Sequence, residues 1–233
     1  MWPRLTKLAT GILLIQGPMI TRVKICGITR VKDLEVALEA GTSAIGLNFY
    51  PGSPRYLAPR QAKKILEAIP VLVEAVAVVV DMPPMEAKKL LEQHQGLTAL
   101  QWHGPVATEF VLLGRWIRGW SVSAATDLHA LENHLQKPLV GAHPPKAILL
   151  DAKVKGLHGG TGKTLPWELL QGWRSPVPML LAGGLNPENV AQAIRIVKPF
   201  GVDVASGVES SQGIKDPAKI RDFFQSIAWA EKG

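Results

Sequence analysis

From Arg22 onward, short apolar runs and stretches of helical spacing alternate eight times over. The runs span 22–27, 44–49, 74–80, 98–103, 115–121, 146–151, 178–182 and 201–205, and they are rich in Val, Ile, Leu and Ala, as in Ala75-Val76-Ala77-Val78-Val79-Val80. Continuous apolar runs, unlike alternating ones, belong to parallel strands covered on both faces. Between and after them, residues 32–40, 59–68, 84–94, 105–113, 125–136, 164–172, 187–198 and 215–229 carry helical patterns, the 105–113 segment the weakest. Pro59 suits a first helical turn, and Asn186 followed by Pro187 reads as a cap and first position. Eight strand–helix units in about 210 residues predict a single-domain α/β fold, a (β/α)8 TIM barrel at the small end of its range. An open doubly wound sheet needs no eight units, and no Gly-x-Gly-x-x-Gly follows the first run.

Residues 1–20 stand apart as an N-terminal extension outside the barrel domain, which is expected to cover 21–233. The segment Met1–Pro18 has Arg4, Lys7, no acidic residue and the apolar stretch Ile12-Leu13-Leu14-Ile15. It resembles a weak targeting peptide, but Gln16 interrupts it and Met19 stands directly before the first strand. A dispensable tail or an upstream start is the favoured reading. No apolar run has the length to cross a bilayer, about 18 residues. A single cysteine argues against a disulfide scaffold and for a reducing compartment, so a cytoplasmic location is expected.

The formal charge of +7 admits nucleic acid, a membrane surface or an anionic metabolite as partner. The basic residues are scattered, and neither a basic helix nor an aromatic RNA-binding signature occurs. A phosphorylated, carboxylated small molecule suits the charge better than nucleic acid or membrane. No histidine or carboxylate pair has metal-ligand spacing, so no metal is expected.

In a barrel of this kind, chemistry sits at the carboxyl ends of the strands. The residues there are Cys26, Asn48, Asp81, His103, Ser121, Asp151, Gly183-Gly184 and Ser206-Gly207. Cys26 is either a small buried hydrophobe or a reactive thiol, and with Asp151 it offers a base and an acid. Gly183-Gly184 and Ser206-Gly207 end the seventh and eighth strands, where backbone N–H groups commonly bind phosphate. Arg55, in Ser53-Pro54-Arg55-Tyr56, is either a bidentate carboxylate ligand or a solvated loop residue. Gly159-Gly160-Thr161-Gly162-Lys163-Thr164 lacks the spacing of an ATP-binding loop, since Leu157 stands where glycine is required; it reads as a lid beside Asp151.

Seven motifs in register resemble the phosphoribosylanthranilate isomerase family over residues 21–228: Val23-Lys24-Ile25-Cys26-Gly27-Ile28-Thr29, Ser53-Pro54-Arg55-Tyr56, Leu100-Gln101-Trp102-His103-Gly104, Leu150-Asp151, the 159–164 loop, Leu181–Asn189 and Ser206-Gly207-Val208-Glu209. The resemblance implies a cofactor-free barrel isomerase of tryptophan biosynthesis, with Cys26 as general base and Asp151 as general acid. It also implies Arg55 on the substrate carboxylate, His103 lining the pocket, and Gly183, Gly184, Ser206 and Gly207 around the phosphate. Ala205, Trp102, His158 and Pro166 depart from the family pattern. The competing readings are a catalytically silent phosphate-binding barrel and another phosphoribosyl-substrate isomerase. The oligomeric state, monomer or homodimer, stays open. For such an acid–base pair to work near neutrality, the carboxyl must be raised by about 3 pH units and the thiol lowered.

Overall fold

A computed structural model describes residues 4–7, 13–16, 20–105, 115–136, 144–152 and 166–232. Eight parallel strands close into a barrel: β1 Arg22–Cys26, β2 Ala44–Asn48, β3 Glu74–Val80, β4 Ala99–His103, β5 Trp116–Val122, β6 Ala147–Ala152, β7 Met179–Leu181 and β8 Gly201–Val204. They run in chain order around the ring, and β8 pairs with β1 to complete it, with Asp203 opposite Lys24. The strand assignments from sequence hold to within one or two residues.

The helices packed outside are α1 Val31–Glu39, α2 Pro59–Ala68, α3 Pro84–Gln93, α4 Ala125–Gln136, α5 Val190–Val197 and α6 Pro217–Lys232. Two expectations need correction. Of the helix expected over 164–172, the described part is only a 3-10 turn, Trp167–Leu170. Trp167 and Leu170 still bury there, so one short turn covers the sheet where a full helix was expected. The helix expected from 187 begins at Val190. Asn186 keeps its role one turn earlier: its side-chain oxygen accepts from the N–H groups of Glu188 (3.0 Å) and Asn189 (3.0 Å). The segments 106–113 and 159–164 lie outside the described residues.

Most of the apolar core lies between the strands and the helices, where Ile25, Leu47, Val79, Leu100, Trp102 and Leu150 are buried. Trp102 faces that outer layer, its indole N–H donating to the Pro105 carbonyl at 3.1 Å. Side chains alternate across a strand, so Gln101 and His103 face inward. The barrel interior is filled differently. A small cluster of Leu149, Leu180 and Ala182, with Ile117 against it, is joined by the buried polar residues Lys24, Gln101 and Asp203. Residues 4–7 and 13–16 pair with each other as a two-stranded antiparallel ribbon, separate from the barrel sheet. Among the described residues, no helix is long and apolar enough to cross a membrane.

Candidate active site at the barrel mouth

Cys26 is the last residue of β1 and only 9% exposed. The chain turns at once: Gly27 has φ +74°, a conformation suited to glycine, and a Cβ there would press 2.5 Å from Arg55 Cδ. The strand end and the Arg55 loop therefore pack directly against each other.

Asp151 lies near the end of β6, in register with Ser121 of β5. Its Oδ1 accepts from the Ala152 N–H at 2.7 Å. Gly183, after β7, lets the carboxylate sit here, because a Cβ at that position would lie 2.8 Å from Asp151 Oδ1. Burial, helped by the Asp203 carboxylate and opposed by the Ala152 N–H, pushes the Asp151 carboxyl up to about 6. That is the direction a general acid needs.

The thiol behaves otherwise. Burial pushes Cys26 up, further than the Lys24 and Lys215 ammonium groups pull it down, and Asp203 adds to the rise. The lowering of the thiol expected from sequence is therefore not what the structure gives. Asp203 acts on both groups, so Cys26 and Asp151 share one buried neighbour.

Arg55 is neither solvated nor loose. It is 7% exposed, and its Nε and Nη2 donate to Glu209 Oε1 and Oε2 at 2.8 and 2.7 Å. Its loop is tied down from β2: Asn48 Nδ2 donates to Ser53 Oγ at 3.0 Å, and Ser53 Oγ accepts from the Arg55 N–H at 3.1 Å. Glu209 also accepts from Lys215 Nζ at 2.8 Å, and Lys215 donates to the Ala205 carbonyl at 3.0 Å. Those contacts hold Glu209 below the usual carboxylate range despite its burial. Two cations against one carboxylate leave a net positive charge in this cluster. Arg55 keeps Nη1 as a donor for an incoming anion.

The glycine pair after β7 has φ of +86° at Gly183 and +62° at Gly184. Asn189 Nδ2 braces the pair by donating to the Gly184 carbonyl at 2.9 Å. Ser206 and Gly207 form a 3-10 turn after β8, and a Cβ on Gly207 would overlap the Leu185 carbonyl oxygen. The two turns thus touch through bare backbone, an arrangement suited to an oxyanion.

His103 and Asp81 are not isolated. The His103 ring meets Gln101 Nε2 at 2.8 Å, and Gly119 leaves the space it fills. Asp81 lies against Gly104, and its charge acts on the buried Arg118. Sequence reasoning missed Asp203 and Lys215 and took Gln101 and Glu209 only as parts of motifs. Part of the signal was available: Lys24 and Gln101 precede Cys26 and His103 by two and so share their inward face, and Asp203 is the register partner of Lys24.

The family described as N-(5'phosphoribosyl)anthranilate (PRA) isomerase matches residues 23–226. A relative from Magnetococcus marinus named N-(5'-phosphoribosyl)anthranilate isomerase is 39% identical over 217 residues, 92% of this chain and 99% of its own length. Among solved structures, monomers generated from the dimeric phosphoribosylanthranilate isomerase of Thermotoga maritima superpose with a TM-score of 0.75 at 35% identity. The match covers 90% of this chain and 99% of that one. A phosphoribosyl anthranilate isomerase in complex with reduced 1-(o-carboxyphenylamino)-1-deoxyribulose 5-phosphate matches equally well, with TM-score 0.75 and 34% identity over 90% of this chain and 99% of its own.

Proposed function

The chain belongs to the N-(5'-phosphoribosyl)anthranilate isomerase family, and from that premise we propose that Asp151 and Cys26 are its general acid and general base. The reaction is the Amadori rearrangement of N-(5-phosphoribosyl)anthranilate to 1-(2-carboxyphenylamino)-1-deoxyribulose 5-phosphate, a step of tryptophan biosynthesis. The observation that carries the assignment is the ring order: β6 and β1 flank β7 and β8. A substrate whose phosphate rests on the β7 and β8 turns has an acid on one side and a base on the other.

The Asp151 carboxyl gives its proton to the ribose ring oxygen, and the C1–O bond breaks to leave an open-chain Schiff base. The Cys26 thiolate takes the proton from C2, and the electron pair moves through C1 to the nitrogen, giving an enolamine. Return of a proton to C1 with loss of the C2 hydroxyl proton yields the ketone. The substrate nitrogen donates its lone pair to C1 as the ring opens and takes an electron pair back when C2 loses its proton, so the steps balance without a cofactor. Arg55 takes the anthranilate carboxylate, and Gly183, Gly184, Ser206 and Gly207 take the phosphate. His103, turned by Gln101, lines the space between. Anchoring both ends supplies the orientation that two proton transfers require. With the carboxyl near 6, about one molecule in ten carries the acid at pH 7, a hundredfold gain over an ordinary aspartate.

The substrate class is a phosphorylated, carboxylated small molecule, and the scattered surface charge speaks for neither nucleic acid nor membrane. Assembly as monomer or homodimer is read from sedimentation. The deciding experiment follows the fluorescence of freshly made phosphoribosylanthranilate without metal or nucleotide. Loss well above the spontaneous decay is expected, and Cys26→Ala and Asp151→Asn should abolish it while still binding a product analogue. A folded protein that leaves the decay unchanged would instead be a silent phosphate-binding barrel.

A further inference from the structure

Lys24 precedes Cys26 by two residues on β1, so both side chains project into the barrel. The lysine is 1% exposed, an unusual place for an ammonium group unless it is paired. Its Nζ donates to Asp203 Oδ1 at 2.7 Å, and these residues are register partners across the β1–β8 seam. On the other side of β1 the facing position of β2 is Gly46. A Cβ there would sit 2.8 Å from Cys26 Sγ and 2.9 Å from Lys24 Nζ, so thiol and ammonium converge on one open space. Asp203 in turn lies on β8, separated from the Asp151 strand only by β7, whose neighbouring inward residues are Leu180 and Ala182.

We propose that the buried Lys24–Asp203 pair is a positioning device for the acid–base centre, its cationic end turned to the Cys26 thiol and its anionic end to the Asp151 carboxyl. One ion pair then favours thiolate at the base and carboxylic acid at the other end. This inference rests on the acid and base roles given above. Around Cys26 the charged groups are Lys24 from β1, Asp203 from β8, Lys215 from the short antiparallel pair Glu209–Ser211 and Ile214–Lys215 that follows β8, and Arg55 from the β2 loop. Lys24 exerts the largest pull toward thiolate among them, while Asp203 opposes it. Asp203 is also the charged side chain that lifts Asp151. Lys24 and Asp203 act through the catalytic groups rather than on the substrate.

Cys26 is the chain's only cysteine, so alkylation by iodoacetamide against pH reads this thiol alone and needs no turnover. In Lys24→Met the alkylation midpoint should rise by about one pH unit or more, with kcat falling about tenfold while KM stays near the wild-type value. In Asp203→Asn the midpoint should fall, and the acid limb of kcat/KM should move to lower pH as Asp151 loses its anionic neighbour. Midpoints unmoved in the folded variants would overturn the proposal, whatever the activity. If Lys24→Met does not fold, Asp203→Asn decides alone, since asparagine can still accept from the lysine. A wild-type protein that alkylates as expected yet turns over nothing would sink the isomerase reading and leave the Lys24–Cys26 coupling standing.

Discussion

Asp151 is held where an ordinary aspartate would rather not be. Its folded-state value near 6 lies above the unfolded 3.8, so its contribution to stability is complete below about pH 4 and is lost as the pH rises through 6. Above that point the buried carboxylate costs about 3 kcal/mol. Asp151→Asn should therefore lose nearly all turnover and unfold at higher denaturant concentration than wild type at pH 7.5, with the difference vanishing near pH 4. Denaturant curves at the two pH values check this, and equal stability at both would mean the carboxyl is not strained by burial. Arg55 offers a different kind of test. Its orientation depends on Glu209, which is gripped at both oxygens. Glu209→Gln keeps the shape but weakens the fork, and KM is expected to rise about tenfold, with a smaller change in kcat. Steady-state kinetics separate the two.

The turns after β7 and β8 are built on missing side chains. At Gly183 an alanine would carry both a φ of +86° and a Cβ 2.7 Å from the Ala152 nitrogen. Gly183→Ala should shift the turn, displace Asp151 and lower kcat/KM about a hundredfold, as steady-state assays would record; a near-wild-type value would show that the turn is not tightly specified. The strands were legible because their apolar runs must be covered on both faces, and Cys26, Asp151 and the two glycine turns followed from the rule that chemistry gathers at strand ends. The 3-10 turn at 167–170 was not legible, since a pattern of apolar residues fixes which face is buried but not how many turns cover it. Nor was the interior charge layer. Lys24 stands in an apolar run with no local partner, and only the register shows Asp203 opposite, 179 positions away. Long-range pairing of this sort leaves no local spacing to recognise.

At the scale of the whole molecule, the match to the family begins at residue 23, where the first barrel strand has just started. Removing residues 1–19 is expected to leave melting temperature and kcat/KM unchanged, as thermal unfolding and the fluorescence assay would register. A fall in either would give the extension a part in the barrel. The seam between β1 and β8 has a further meaning for how the protein is made. Translation delivers the thiol among the first residues of the barrel and the aspartate that steadies its neighbouring lysine near the end. Pairings this distant in sequence form slowly, because so much chain must be brought together first. A nascent chain halted before Gly201 carries Cys26 but cannot hold Lys24 in its ion pair. On the coupling proposed above, the reactivity of the thiol is set only when the last strand has been made and closes the ring.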